Sequence, residues 1–149
     1  MIKVAICDDD IQFIYKLEQS IFRFAEMKRI KVDVDGYTSG AEFIQKLQQS
    51  ERYDLLFLDI ELGDSSGIIV GNWIRSQIQY ESMQIVFVSA KEMYAMQLFD
   101  LRPMNFLVKP IQQERVDYIL DEYERLYQFQ PHIIEIGKGR NSIRIEEHS

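Results

Sequence analysis

Apolar residues along the chain are grouped into short segments that are separated by longer amphipathic ones. Residues 55–58 (Leu-Leu-Phe-Leu) form an uninterrupted apolar run, which is typical of a strand buried on both faces. From residue 11 to about residue 27, in contrast, Ile14, Leu17 and Ile21 recur at the spacing of an amphipathic helix. The pattern predicts five strands, at residues 2–7, 30–37, 55–58, 84–89 and 105–108.

A predicted helix follows each predicted strand. The helices lie at residues 11 to about 27, at a segment opened by the Ser-Gly-Ala-Glu capping box of residues 39–42, at 67–78, at 91 to about 100, and at 111 to about 127. Strict alternation of strands and helices implies right-handed crossovers. We therefore expect a doubly wound α/β domain, a parallel sheet with helices on both faces.

The residues after Pro131 break this alternation. Isoleucines at 133, 134, 136, 143 and 145 flank a glycine-containing turn at residues 137–141, which predicts a hairpin-like tail. These eighteen residues are too few to fold as a domain. The tail is therefore either an appendage or the first strands of a second domain that this chain does not include.

Composition narrows the class of protein. A length of 149 residues corresponds to one domain, and the single cysteine, Cys7, excludes both a disulfide framework and a multi-cysteine zinc site. The N-terminus lacks the pattern of a signal peptide, and no apolar run is long enough to span a membrane. The net charge of −7 opposes binding to a phosphate backbone. We expect a cytoplasmic domain with no membrane contact.

Carboxylates, a hydroxyl and a lysine follow the predicted strands, where ligands bind in an open parallel sheet. The residues at these strand ends are Asp8, Asp9, Asp10, Asp59, Glu61, Ser89, Ala90, Lys109 and Pro110. Each has an ordinary structural explanation by itself, such as a helix cap for Asp10, but their joint occurrence favours a site. Crowded carboxylates persist where a cation such as Mg²⁺ neutralises them, and a carboxylate can also attack phosphorus.

Four motifs at these positions resemble those of the receiver domain of two-component response regulators. They are Ile6-Cys7-Asp8-Asp9-Asp10, Leu58-Asp59-Ile60-Glu61 followed by Gly67, Val88-Ser89-Ala90, and Phe106-Leu107-Val108-Lys109-Pro110-Ile111. The resemblance covers residues 1–127 and implies a flavodoxin-like sheet with strand order 2-1-3-4-5. Residues 59–62, 87–90 and 94–95 resemble receivers that precede a LytTR-type DNA-binding domain. We expect residues 128–149 to be a linker and the truncated start of that domain, since residues 134–140 resemble its first strands.

The resemblance implies the phosphoacceptor and the metal ligands. It makes Asp59 the residue that is phosphorylated and Asp9 a direct ligand of Mg²⁺. Asp8 would bind the metal through water, and the backbone carbonyl of Glu61 would complete the ligands that the protein supplies.

The resemblance also implies how the phosphoryl group is contacted. Lys109 would pair with the phosphoryl group, held by a cis peptide bond to Pro110. Ser89 and Phe106 occupy the positions of the switch hydroxyl and the switch aromatic residue, and the small Ala90 would leave the phosphorus accessible.

One departure from the family is visible in the loop after the phosphoacceptor. Many members have proline at the position of Gly63, and this chain has the loop Gly63-Asp64-Ser65-Ser66-Gly67 instead. Because glycine is conformationally permissive, we expect this loop to be more mobile than in those members.

The leading hypothesis for function is a signalling module rather than an enzyme. A histidine kinase would phosphorylate Asp59 and thereby change the surface that controls a C-terminal DNA-binding domain, the only part expected to contact DNA. One alternative is a phosphatase of the haloacid dehalogenase class, in which Asp8 attacks phosphorus and Asp10 is the acid/base. Another is a receiver-like module that is not phosphorylated.

A phosphorylation-dependent homodimer is expected at the face formed by the fourth and fifth helices and the fifth strand. On the helix predicted at residues 91–100, the helical spacing turns Ala95, Leu98 and Phe99 towards the core. The outward residues of that helix would be Met93, Met96, Gln97 and Asp100. Exposed methionines provide an adaptable contact surface.

Overall fold

The structure is a computed structural model that describes residues 1–78, 82–91 and 98–128. Its strands are β1 (Ile2–Cys7), β2 (Val32–Tyr37), β3 (Leu55–Asp59), β4 (Gln84–Ser89) and β5 (Asn105–Val108). Its α-helices are α1 (Ile11–Lys28), α2 (Gly40–Gln48), α3 (Gly67–Asn72) and α4 (Gln113–Tyr123). Helix α3 continues as a π-helical segment, Trp73–Gln77, and α4 continues as another, Glu124–Gln128.

All the described strands belong to one parallel sheet. Their order is β2-β1-β3-β4-β5, and each neighbouring pair is parallel. The central strands β3 and β4 are buried on both faces, apart from a partly exposed Gln84, as their uninterrupted apolar sequences predict. The predicted doubly wound sheet and its strand order are therefore confirmed.

Helices cover both faces of the sheet. On one face, Ala5 and Cys7 of β1 belong to the apolar core that also contains Phe43 of α2 and Val70 of α3. The opposite face is covered by α1, because Gly36 of β2 approaches a side chain of that helix so closely that an added Cβ would collide with it. The single cysteine is thus a buried residue of the core.

Local capping explains where the first two helices begin. Asp10 caps α1, and its side chain accepts hydrogen bonds from the backbone amides of Gln12 and Phe13. Ser39 caps α2 by accepting from the amide of Glu42, as the capping box predicts. The Glu42 carboxylate accepts from the amide of Thr38.

The chain divides into two compact units, Met1–Gln112 and Gln113–Ser149. The first unit contains the whole sheet and helices α1 to α3. The second begins with α4, whose buried residues are Val116, Ile119, Leu120 and Tyr123. No helix within the described part of the chain is long and apolar enough to cross a membrane.

The segment after β4 differs from its prediction at Phe99. Leu98 is buried as expected, but Phe99 is 80% exposed instead of facing the core. Residues 98–101 form a 3₁₀ turn, in which successive side chains point about 120° apart rather than 100°. The α-helical spacing that placed Phe99 inside therefore does not apply. The outward face predicted at Met93 and Met96 lies outside the described residues, as does the hairpin predicted after Pro131.

Candidate functional site

The polar residues that follow the strands meet at one edge of the sheet, because parallel strands end on the same side. Asp59 is the last residue of β3, and Ser89 is the last residue of β4. Asp8 directly follows β1, and Lys109 directly follows β5. The structure thus brings together residues that are up to about a hundred positions apart in the sequence.

Three carboxylates form the centre of this site. One oxygen from each of Asp8, Asp9 and Asp59 lies within 4.8 Å of the others. Asp8 and Asp59 are only 1% and 4% exposed, whereas Asp9 is exposed. Like charges so close to one another disfavour ionisation unless a cation compensates them.

This cluster fits the requirements of Mg²⁺. All of its ligand atoms are carboxylate oxygens, which hard divalent cations prefer. The buried Oδ2 atom of Asp8 lies 3.0 Å from the Lys109 ammonium, but it accepts no hydrogen bond of regular geometry from the described residues. Its Oδ1 atom accepts from the backbone amide of Asp10 at 2.8 Å. A buried oxygen with unused acceptor capacity is therefore available to a cation or to its water shell.

Lys109 links the acidic cluster to helix α1. Its Nζ atom lies 3.0 Å from an oxygen of Asp8 and 3.6 Å from an oxygen of Asp59. The same ammonium lies 4.4 Å from the centre of the Phe13 ring, within the range of a cation–π interaction. Burial alone lowers the pKa of Lys109, but pairing with the two carboxylates outweighs it and holds that pKa above its ordinary value. The lysine is therefore a fixed positive charge.

The backbone around Lys109 is tied to the neighbouring strand. Its amide donates to the carbonyl of Ser89 at 2.9 Å, and the peptide bond between Lys109 and Pro110 is cis, the isomer that the resemblance implies. Ser89 is buried, and its Oγ atom accepts from the amide of Lys91 at 2.9 Å. Because that bond uses the oxygen as an acceptor, the hydroxyl hydrogen is still available for donation.

The Asp59 carboxyl has an altered affinity for protons. Burial, together with the neighbouring negative charge of Asp8, raises the pKa of Asp59 to about 6, because these two effects outweigh the opposing effect of Lys109. Its Oδ1 atom also accepts from the amide of Glu61 at 3.2 Å, which favours the ionised form. Above this pKa the side chain is a carboxylate anion that can act as a nucleophile.

The remaining predicted residues surround this centre. Glu61 forms an exposed ion pair with Lys91, with 2.9 Å between Oε2 and Nζ. Ala90 is exposed beside the site. Phe106 on β5 is half-buried and packs against the apolar core.

Sequence reasoning identified Gly67 as part of a motif but did not explain it. A Cβ atom at this position would overlap the backbone carbonyl of Asp59 and lie 2.9 Å from the Cα of Ile60. Only glycine permits α3 to start this close to the end of β3. Phe13 was missed as a neighbour of Lys109, because an apolar residue in the first turn of a helix carries no signal for an ammonium far along the chain.

Comparisons with known proteins give the class of this chain. The model of the "Response regulator receiver domain" family matches residues 4–121. The chain therefore belongs to that family, the receiver domains of two-component response regulators.

Particular relatives refine this class. The chain is 30% identical to the sensory transduction protein LytT of Bacillus cereus over 149 residues, which cover 99% of this chain and 57% of that protein. It is also 30% identical to LytR of Streptococcus agalactiae, over 85% of this chain and 49% of that protein. The chain thus spans about half the length of these curated relatives. Their names support the predicted resemblance to receivers of the LytTR class.

Solved structures match the fold. The response regulatory domain of the protein mrkE from Klebsiella pneumoniae superimposes with a TM-score of 0.72 at 24% identity, over 86% of this chain and 99% of that one. The chemotaxis response regulator CheY4 of Vibrio cholerae superimposes with a TM-score of 0.69 at 21% identity, over 82% and 98% of the two chains. These likenesses establish the receiver fold.

Proposed function

We propose that this receiver domain accepts a phosphoryl group on Asp59 from the phosphohistidine of a sensor kinase. The observation that carries this proposal is the position of the Asp59 carboxylate, buried at the strand ends between two other aspartates and one lysine. An oxygen of Asp59 forms the new bond to phosphorus while the bond between phosphorus and the donor nitrogen breaks. The donor imidazole leaves with the electron pair of that bond.

The other residues of the site have distinct roles in this transfer. The Lys109 ammonium, already 3.6 Å from Asp59, pairs with the phosphoryl oxygens, and the Ser89 hydroxyl donates a hydrogen bond to one of them. Asp8, Asp9, Asp59 and the backbone carbonyl of Glu61 would hold Mg²⁺, which supplies positive charge to the phosphoryl oxygens when bound. Exposed Ala90 leaves the approach to Asp59 open.

The consequences of phosphorylation belong to the same proposal. A bond from Ser89 to the phosphoryl group would draw the following loop inward, and the half-buried Phe106 would move into the vacated space. The changed surface favours a homodimer and, in the full-length protein, controls a DNA-binding domain and transcription. A relative from Staphylococcus aureus, LytR, is named a transcriptional regulatory protein, which supports such an output. A receiver of this kind works in the cytoplasm.

The phosphatase alternative is less compatible with the contacts around Asp8 and Asp10. The Oδ1 atom of Asp8 accepts from the amide of Asp10, and its Oδ2 atom lies 3.0 Å from the ammonium of Lys109. The Asp10 carboxylate accepts from the amides of Gln12 and Phe13 as the cap of α1, so the side chain that the phosphatase would use as its acid/base already has a structural role. This role of Asp10 favours Asp59 over Asp8 as the residue that is phosphorylated.

The site of phosphorylation can be mapped directly. We expect acetyl phosphate and Mg²⁺ to add one phosphoryl group to the protein, and mass spectrometry to locate it on Asp59. Asp59→Asn should abolish the label. Asp54→Asn is the matched control, because Asp54 directly precedes the first residue of β3, away from the site, and accepts from the amide of Lys3. A label on Asp8 would support the phosphatase, and the absence of any label would support a receiver that is not phosphorylated.

Magnesium binding depends on the exposed aspartate. Asp9→Asn removes one of the three clustered negative charges and should weaken Mg²⁺ binding by about tenfold or more, with a parallel loss of phosphorylation. Isothermal titration with MgCl₂ measures the affinity. Asp10→Asn is the control from the same run of aspartates, since asparagine is an equally good helix cap. Normal Mg²⁺ affinity in Asp9→Asn would contradict the assignment of Asp9 as a ligand.

A further inference from the structure

The loop that follows the phosphoacceptor is fastened to the start of helix α2. The Oδ1 atom of Asp64 accepts from the amide of Gly40 at 3.1 Å, and its Oδ2 atom accepts from the amide of Ala41, also at 3.1 Å. These are the first two amides of α2, which have no partner within the helix. The two amides hold the pKa of the Asp64 carboxyl below its ordinary value, so its negative charge is retained at the positive end of the helix.

Close packing accompanies these hydrogen bonds. A Cβ atom added to Gly40 would lie 3.0 Å from Val70 and 3.3 Å from both Leu62 and Ser65. The first residue of α2 therefore contacts the loop and the start of α3 without intervening space. The loop that contains Gly63 thus contacts α2 at defined points.

The other side of the same loop contacts the acidic cluster. A Cβ atom added to Gly63 would lie 3.1 Å from Oδ2 of Asp9, and the amide of Glu61 donates to Asp59 at 3.2 Å. Residues 61 and 63 thus contact two of the three carboxylates of the cluster. Asp64, directly after Gly63, joins this part of the loop to α2.

We propose that Asp64 is a positioning residue for the phosphoacceptor site. Its two hydrogen bonds to α2 fix the loop so that Gly63 stays against Asp9 and the amide of Glu61 stays hydrogen-bonded to Asp59. This inference rests on the proposed function, since it concerns the Mg²⁺ affinity and the phosphorylation of the same site.

The coupling works in both directions. If Asp64 favours the loop conformation that binds Mg²⁺, then Mg²⁺ must stabilise the contact between Asp64 and α2 by the same free energy. Mg²⁺ should therefore slow hydrogen exchange at the amides of Gly40 and Ala41, although both belong to a helix that contributes no ligand.

The test compares two acidic residues at the same helix end. Asp64→Ala removes the link to the loop. Glu42→Ala removes a carboxylate that accepts from Thr38 and has no bond to the loop. We expect Asp64→Ala to weaken Mg²⁺ binding by roughly threefold to tenfold and to slow labelling by acetyl phosphate, because it removes two charge-assisted hydrogen bonds. Glu42→Ala should leave both properties unchanged.

Further measurements separate positioning from folding. Asp64→Asn keeps one acceptor oxygen and should give an intermediate Mg²⁺ affinity, which preserves the test if Asp64→Ala does not fold. Equal Mg²⁺ affinity in wild type and Asp64→Asn, with unchanged amide exchange at Gly40 and Ala41 on addition of Mg²⁺, would overturn the inference. So would an equal loss in Glu42→Ala. A wild-type protein that neither binds Mg²⁺ nor takes the label would overturn the proposed function itself.

Discussion

Replacing Gly67 by alanine is expected to destabilise the domain by more than about 3 kcal/mol, as overpacking against immovable atoms does. The added Cβ would overlap the carbonyl oxygen of Asp59 and lie 2.9 Å from its carbonyl carbon. These are backbone atoms of the last residue of β3, so no side-chain rotation relieves the overlap. Either α3 moves away from the sheet or the end of β3 is displaced, and both changes disturb Asp59, the proposed phosphoacceptor.

The unfolding free energy of Gly67→Ala follows from urea denaturation, and labelling by acetyl phosphate reports the site. The matched control is Gly71→Ala in the same helix, where an added Cβ would lie 3.1 Å from Phe87 and 3.2 Å from Leu101. Those neighbours are side-chain atoms that can shift by a few tenths of an ångström. We expect the control to lose less than half as much stability as Gly67→Ala. Similar losses of unfolding free energy in both variants would show that the backbone contact at Asp59 is no more costly than the side-chain contacts at Gly71.

Replacing Asp59 by asparagine is expected to stabilise the Mg²⁺-free protein at a pH of about 8. Burial and the nearby Asp8 raise the pKa of Asp59 from 3.8 to about 6 in the folded state. The folded protein then binds a proton at this position more tightly than the unfolded chain. Stability contributed by Asp59 is therefore highest at low pH and falls as pH rises from about 4 to about 6. A shift of about two pKa units corresponds to roughly 3 kcal/mol.

The measurement is urea unfolding in the presence of EDTA across this pH range. The stability gained by Asp59→Asn should be largest above about pH 7, should shrink through pH 6 and should be nearly absent at about pH 4. Asp54→Asn keeps Asp59 and should therefore retain the pH dependence of the wild type. A variant Asp59→Asn that is less stable than wild type at pH 8 would contradict the interpretation that the buried carboxylates repel one another.

The sequence predicts most of the fold because its signals are local and agree with one another. The uninterrupted apolar run of β3 and the capping box of α2 each follow from a few adjacent residues, and strict alternation then leads to a parallel sheet. The location of the site can be predicted in the same way, because the carboxyl ends of parallel strands lie at one edge of the sheet. Asp8, Asp59 and Lys109 could thus be placed near one another without any coordinates.

Features that depend on contacts between distant segments could not be predicted. The bond from Gly40 to Asp64 joins residues 24 positions apart, and neither residue carries a local signal for the other. From the sequence, Gly63 indicates only that its own backbone is permissive. The contacts of the adjacent Asp64 with α2 are visible only in the structure. At Phe99 the limit is different, because a short apolar segment does not distinguish an α-helix from a 3₁₀ turn.

The buried position of Cys7 protects its thiol from oxidation. This thiol lies one residue before the acidic cluster, where an oxidised sulfur would disturb Asp8. Burial raises the pKa of the thiol well above its ordinary value, and its Sγ atom donates to the carbonyl of Ser39. Oxidants and alkylating reagents attack the exposed thiolate, a form that this cysteine does not reach at neutral pH. Cys7 is the only cysteine of the chain. A second cysteine introduced at an exposed position of the protein would therefore be the single thiol that a fluorescent reagent can label.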